Sequence, residues 1–176
     1  MIKLPINSRV NALAKALDKV IADYKPPGRL VGAPDDNPKL SEADLIEIKK
    51  KGDVVVAPDV FTYFLEHYDQ KAVRRWAAGL FPNSELISVS GSFHYPPKGF
   101  MGWHTNSNME GWRVYASFAT EDDKSFFRYA KGKVVYTEYE KKGWNFRAFQ
   151  VKKNDLYWHC VYADADRYSF GFRFAL

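Results

Sequence analysis

The apolar positions of the chain change rhythm near residue 83. Before it, Val10, Leu13, Leu17, Val20 or Ile21, and Tyr24 recur at intervals of three and four, the one-sided stripe of an amphipathic helix. Asn7 or Ser8 can cap that helix, and Pro26-Pro27-Gly28 stops it. Residues 29–39 hold Gly32, Pro34 and Pro38 with no period, which predicts a loop or flap. Ser41 opens a short helix carrying Leu45, Ile46 and Ile48 and ending near Gly52. Pro58 suits the first turn of a third helix, with Phe61, Phe64 and Leu65 as its buried stripe. A fourth is expected over 69–80, with Val73, Trp76, Ala77 and Leu80 facing inward and Pro82 closing it.

Beyond Asn83 the period is two. Ile87, Val89, Gly91, Phe93 and Tyr95 alternate with Ser88, Ser90, Ser92 and His94, a long strand before the Pro96-Pro97-Lys98-Gly99 turn. Further strands are expected around 101–106, 112–119, 125–130, 133–139, 145–151, 156–162 and 167–176, separated by Gly, Asp and Asn clusters. The pattern predicts one mixed α+β, mainly β domain over 1–176. Its helical lead (1–83) covers one outer face of a curled or double-layered sheet (84–176). Strands and helices do not alternate and no glycine-rich phosphate loop is present, which argues against Rossmann and TIM-barrel architectures.

Composition narrows the chemistry. Apolar residues at 46% support a full core, and aromatic residues at 16%, most of them after residue 90, suit packed sheets. The net charge of +5 comes from dispersed basic groups, compatible with an anionic small molecule or a polynucleotide and diagnostic of neither. The single cysteine, Cys160, excludes an internal disulfide and a thiolate-cluster metal site, leaving histidine and carboxylate as the expected ligands. No apolar run reaches the ~20 residues of a membrane span, and Met1-Ile2-Lys3-Leu4-Pro5 lacks a signal-peptide run, so the expectation is a cytoplasmic protein without a membrane partner.

Four histidines are few enough to weigh singly. His104 and Asn106 stand two apart in an expected strand and share a face; His159 lies in another. His94 points to the face opposite Tyr95 and reads as packing, His67 as an exposed or capping residue near a helix end, and Cys160 as a small buried hydrophobe. In the last strand Arg167, Ser169, Gly171 and Arg173 share one face, while Tyr168, Phe170, Phe172 and Phe174 share the other. The aromatic face should pack against helices or a second sheet. The face with two arginines requires an anion or carboxylates to compensate it. Trp103, Trp112 and Trp158 read either as core or as the fence of a substrate pocket.

Tyr95-Pro96-Pro97-Lys98-Gly99, Trp103-His104-Thr105-Asn106, His159-Cys160-Val161 and Arg167-Tyr168-Ser169, in that order, resemble the iron(II)- and 2-oxoglutarate-dependent oxygenases, especially their prolyl-hydroxylase-like branch. The resemblance implies a double-stranded β-helix (jelly roll, cupin-like) with buttressing helices, iron(II) and 2-oxoglutarate as cofactors, and molecular oxygen as co-reactant. It implies a small-molecule, amino-acid or peptide side chain as substrate. By it, His104 and His159 match the two iron-binding, catalytic histidines and Asn106 stands in the acidic ligand position. Arg167 and Ser169 match the pair that holds the distal carboxylate of 2-oxoglutarate, with Tyr95 beside it. Arg173, which shares the face of Arg167, reads equally as a second anion-binding group or as part of a structural ion pair. Asn106 is the departure: it is a weak neutral ligand, or Glu110 substitutes for it, or the site is loosely held or silent. Two other readings stand beside the oxygenase: a catalytically silent jelly-roll anion-binding or structural protein and, more remotely, a nucleic-acid oxygenase suggested by the two-arginine last strand.

Overall fold

The structure, a computed structural model, describes residues 1–52, 58–66, 68–106, 109–152 and 156–175. Three helices and eleven strands follow in the order β1 (Ile2–Lys3), α1 (Ser8–Asp23), β2 (Arg29–Gly32), α2 (Glu42–Lys50), β3 (Val60–Phe64), α3 (Gln70–Ala78), β4 (Leu86–Tyr95), β5 (Gly99–His104), β6 (Gly111–Ala119), β7 (Ser125–Lys131), β8 (Val134–Tyr139), β9 (Gly143–Val151), β10 (His159–Ala163) and β11 (Arg167–Phe174) among the described residues. The strands form one antiparallel sheet ordered β1-β9-β6-β11-β4-β3-β5-β10-β7-β8, with β2 added on β3. It curls into a half-barrel of the double-stranded β-helix kind, with the helices outside. No helix among the described residues is long and apolar enough to cross a membrane.

Local chemistry explains the helices. The Asn7 side chain accepts the backbone N–H groups of Arg9 and Val10 at 3.0 Å, and Val10, Leu13, Leu17 and Val20 form the buried stripe of α1. Ser41 and Asp44 make a reciprocal capping box on α2. Asp69 caps α3, whose Val73 and Ala77 are buried; Trp76, expected inward, is 45% exposed. The stripes of α1 and α3 pack on Val114, Ala116, Phe146, Ala148, Phe170, Phe172 and Phe174. The aromatic face of the last strand therefore meets the helices, as its alternation predicts.

The expected helix after Pro58 is instead β3. Its run Val60-Phe61-Thr62-Tyr63-Phe64 is β-branched and aromatic throughout, and it finds partners on both sides. Val60 and Phe61 pair with Met101 and Phe100 of β5; Tyr63 and Phe64 pair with His94 and Phe93 of β4. Fully buried Thr62 donates its hydroxyl to the His94 carbonyl at 2.7 Å. This strand joins the two halves of the half-barrel, a role that exists only once β4 and β5 are in place. The same pairing turns the first part of the expected 29–39 loop into β2. His67 lies outside the described residues.

Candidate functional site

Inward-facing positions of β6 and β11 stack in rows: Ala119 with Arg167, Ser117 with Ser169, Tyr115 with Gly171, Arg113 with Arg173. Across the half-barrel β5 and β10 bring His104 directly opposite His159, with ring centroids 4.0 Å apart. Arg167, Ser169 and Tyr95 line one wall of a cavity of about 350 Å³, and His104, His159 and Asn106 line another. That volume is in the small-ligand range.

The histidines are held in one tautomer. His104 Nδ1 lies 2.8 Å from the Gly102 carbonyl and His159 Nδ1 lies 3.0 Å from the Tyr157 carbonyl, so each Nδ1–H donates to backbone and each Nε2 keeps its lone pair, that of His159 within 3.4 Å of the Tyr115 hydroxyl. Burial lowers the His104 pKa to about 4. It pushes His159 well down too, and the neighbouring His104, Arg113 and Arg147 act in the same direction. Both rings are neutral near pH 7, the state in which imidazole accepts a metal.

Asn106 lies two residues beyond His104, just past the end of β5 rather than within it. Its Oδ1 accepts the Tyr115 hydroxyl at 3.1 Å, and that hydroxyl lies 3.4 Å from His159 Nε2. Asn106 Nδ2 is buried with no partner. Tyr115 thus ties the asparagine to the histidine pair, a role that a tyrosine among many aromatic residues did not signal. Glu110 does not line the cavity; its carbonyl accepts from Arg173. Among the described residues no group of three His, Cys, Asp or Glu could hold a metal.

The compensating anion required by the last strand is Glu140, which lies in a run of charges that reads as a solvated hairpin. It is fully buried. Its Oε2 accepts Arg167 Nε at 2.6 Å and the Ser125 hydroxyl at 2.8 Å. Oε1 accepts Arg167 Nη2 at 3.0 Å, Arg147 Nη1 at 2.7 Å and the Ser117 hydroxyl at 2.6 Å. Burial alone would raise the Glu140 pKa, but the two guanidiniums hold it far below the usual carboxylate range. Arg167 Nη1 remains buried and unpartnered, and the guanidinium carbon stands 5.2 Å from the Tyr95 ring centre. Burial pushes the Tyr95 hydroxyl well above its usual pKa, so it is a donor at neutral pH.

Other expected site residues fall elsewhere. Arg173 does not line the cavity, and neither does any of the three tryptophans. Trp103 and Trp158 pack with Leu40, Leu45 and Phe100, and Trp103 Nε1 donates to the Ser41 carbonyl at 2.9 Å, anchoring α2. Trp112 stacks on Phe81 beneath the helices. Strand alternation explains all three, because each neighbours an inward residue and so points outward. His94 faces away from Tyr95 as expected and is buried, with Nε2 2.6 Å from Asp166 Oδ1 and its ring stacked on Tyr168. Cys160 is buried, and burial raises its thiol pKa to about 12.

No protein-family model matches the chain, and no curated protein matches it in sequence. Solved structures do. An oxidoreductase of the 2OG-Fe(II) oxygenase family from Burkholderia pseudomallei aligns with a TM-score of 0.55 at 14% identity, covering 99% of this chain and 84% of that one. A prolyl hydroxylase from Trichoplax adhaerens, solved with a peptide fragment of the hypoxia inducible factor oxygen degradation domain, aligns with a TM-score of 0.55 at 13% identity, covering 97% and 81%. The chain thus resembles the double-stranded β-helix of the 2-oxoglutarate- and iron(II)-dependent oxygenase superfamily. At these identities the likeness is one of fold.

Proposed function

We propose that the protein is an iron(II)- and 2-oxoglutarate-dependent oxygenase acting on a small molecule or on an amino-acid or peptide side chain. The observation that carries this reading is the facing of His104 and His159, with both Nδ1 atoms tied to backbone carbonyls. Two neutral imidazoles suit iron(II), and Asn106 Oδ1 offers a third, uncharged donor. The orphaned Nη1 of Arg167 suits a carboxylate oxygen of a 2-oxo acid, with Ser169 and Tyr95 beside it. When bound, iron(II) supplies activation of molecular oxygen coupled to oxidation of the 2-oxo acid.

The chain's own part is to bind and orient. Arg167 fixes one end of the acid, and Glu140 fixes Arg167. Phe93, Met101, Phe127 and Val161 give the cavity apolar wall between its polar groups. The Tyr115 hydroxyl donates to Asn106 Oδ1 and so orients the neutral amide that stands in the acidic ligand position.

A silent anion-binding module is the second reading, favoured because no carboxylate joins the two histidines among the described residues. Anaerobic titration separates the two. Iron(II) and 2-oxoglutarate together should produce a weak visible charge-transfer band that neither produces alone. Binding of the acid without any band would leave the silent module.

A further inference from the structure

Four residues that line the cavity have no role in the reading above: Val31 of β2, Pro58, and Val60 and Phe64 of β3. They reach it because β3 fills the gap between β4 and β5. Phe64 stands opposite Phe93, with ring centroids 4.9 Å apart, and Val60 stands opposite Met101. By alternation Val60, Thr62 and Phe64 share one face of β3. Thr62 is the polar member of that face, and its hydroxyl is taken by the His94 carbonyl at 2.7 Å. Val31 lies opposite Thr62 on β2 and extends the same wall.

This wall stands beside the histidines. The Gly102 N–H donates to the Asp59 carbonyl at 2.8 Å, which fixes Pro58 and Val60 against β5, the strand that ends in His104. Arg167, Ser169 and Tyr95 reach the cavity from β11 and β4, so a polar wall and an apolar one share a space of about 350 Å³. Arg29 sits at the rim, its side chain 62% exposed, with its guanidinium carbon 4.3 Å from the Phe64 ring centre and Nε donating to Glu66 Oε1 at 2.8 Å. A cation moving onto this wall would exchange its hydration for hydrocarbon close to a like charge. An anion finds its partner at Arg167 instead. A hydrocarbon group gains by leaving water here.

We infer that the β2–β3 wall receives an uncharged, apolar group of the substrate, an aliphatic or aromatic ring, and discriminates against a cationic one. That this group is a substrate rests on the oxygenase reading; its binding needs neither iron nor a 2-oxo acid. Phe64 supplies the broadest contact, and Val31, Pro58 and Val60 set the shape around it.

Calorimetry on the metal-free protein, with no 2-oxo acid present, tests the wall with cyclohexanol and cyclohexylammonium, rings of one size that differ in charge. Cyclohexanol should bind at least about tenfold more tightly. Phe64→Ala should weaken it about tenfold, and Phe64→Leu should keep most of the affinity. Val60→Ala, the milder change, should weaken it about threefold, whereas Ile87→Ala, at an exposed apolar position outside the cavity, should not. Equal binding of the two rings, binding of neither, or an affinity unchanged in Val60→Ala would each overturn the assignment. Failure here with the iron- and acid-dependent band intact would leave the oxygenase reading standing. A bound ring without the band would leave the wall and remove the oxygenase.

Discussion

Arg167 and Arg173 stand six residues apart on one face of one strand and live in opposite electrostatic circumstances. Arg167 shares a fully buried carboxylate with Arg147, and two serine hydroxyls take up the remaining lone pairs of Glu140. Arg173 faces another arginine across the strands, and among the described residues it donates to a thioether and a carbonyl. The first cluster is a completed network, rigid because every member but Arg167 Nη1 has its partner among these groups. The second sets like charges opposite each other on neighbouring strands, an arrangement that disfavours the folded state.

The largest effect should follow from breaking the completed cluster. Glu140→Gln removes the carboxylate that Arg167 and Arg147 share, leaving Arg147 with Glu138 at 4.0 Å, and should cost about 3–5 kcal/mol in urea unfolding. Acid should reproduce this in the wild-type protein. The folded pKa of Glu140 is depressed, so its contribution is fully present above the ordinary value of 4.5 and is lost as pH falls below that toward the depressed one. Stability measured at pH 6 and again at pH 3 should drop, and the drop should shrink in Glu140→Gln.

Next in size is the ligand effect at the same cluster. Arg167→Ala should weaken 2-oxoglutarate binding at least about tenfold by calorimetry, because a carboxylate stranded near apolar walls loses about 2–5 kcal/mol. If a folded Arg167→Ala protein binds the acid unchanged while Arg173→Gln loses it, the two clusters exchange roles. A smaller change is expected at Asn106, the neutral donor of the proposed metal site. Asn106→Asp should tighten anaerobic iron(II) binding by about tenfold, since a carboxylate adds Coulomb attraction at nearly the same shape. Glu110→Gln should leave iron affinity as it is. The smallest effect separates the clusters most directly: relieving the unpaired cations with Arg173→Gln should raise metal-free stability by about 0.2–1 kcal/mol.

Much of this architecture is legible in the residues themselves. The three-and-four stripe of α1, the Ser41 and Asp69 caps and the alternation of β4 and β11 are local properties, written in neighbours a few positions apart. Alternation also placed Phe170, Phe172 and Phe174 against the helices and demanded a counter-anion for the opposite face. The ordered residues His104, Asn106, His159, Arg167 and Ser169 signalled one cavity, and all five line it.

Other features were decided by partners distant in the chain. Phe61, Phe64 and Leu65 fit a helical stripe as well as a strand, and only the gap between β4 and β5 selects the strand. Glu140 reads as one more charge in a solvated turn until Ser117, Ser125, Arg147 and Arg167 close around it. Arg113 carries no local sign that Arg173 will lie opposite it, because strand register across sixty residues is set by the packing of both faces of the sheet. The sequence determined the elements, the inward faces and the residues able to bind. Tertiary structure alone decided that Arg167 meets the buried Glu140 carboxylate while Arg173 meets Arg113 across the strands, because charge compensation depends on distances that no periodicity encodes.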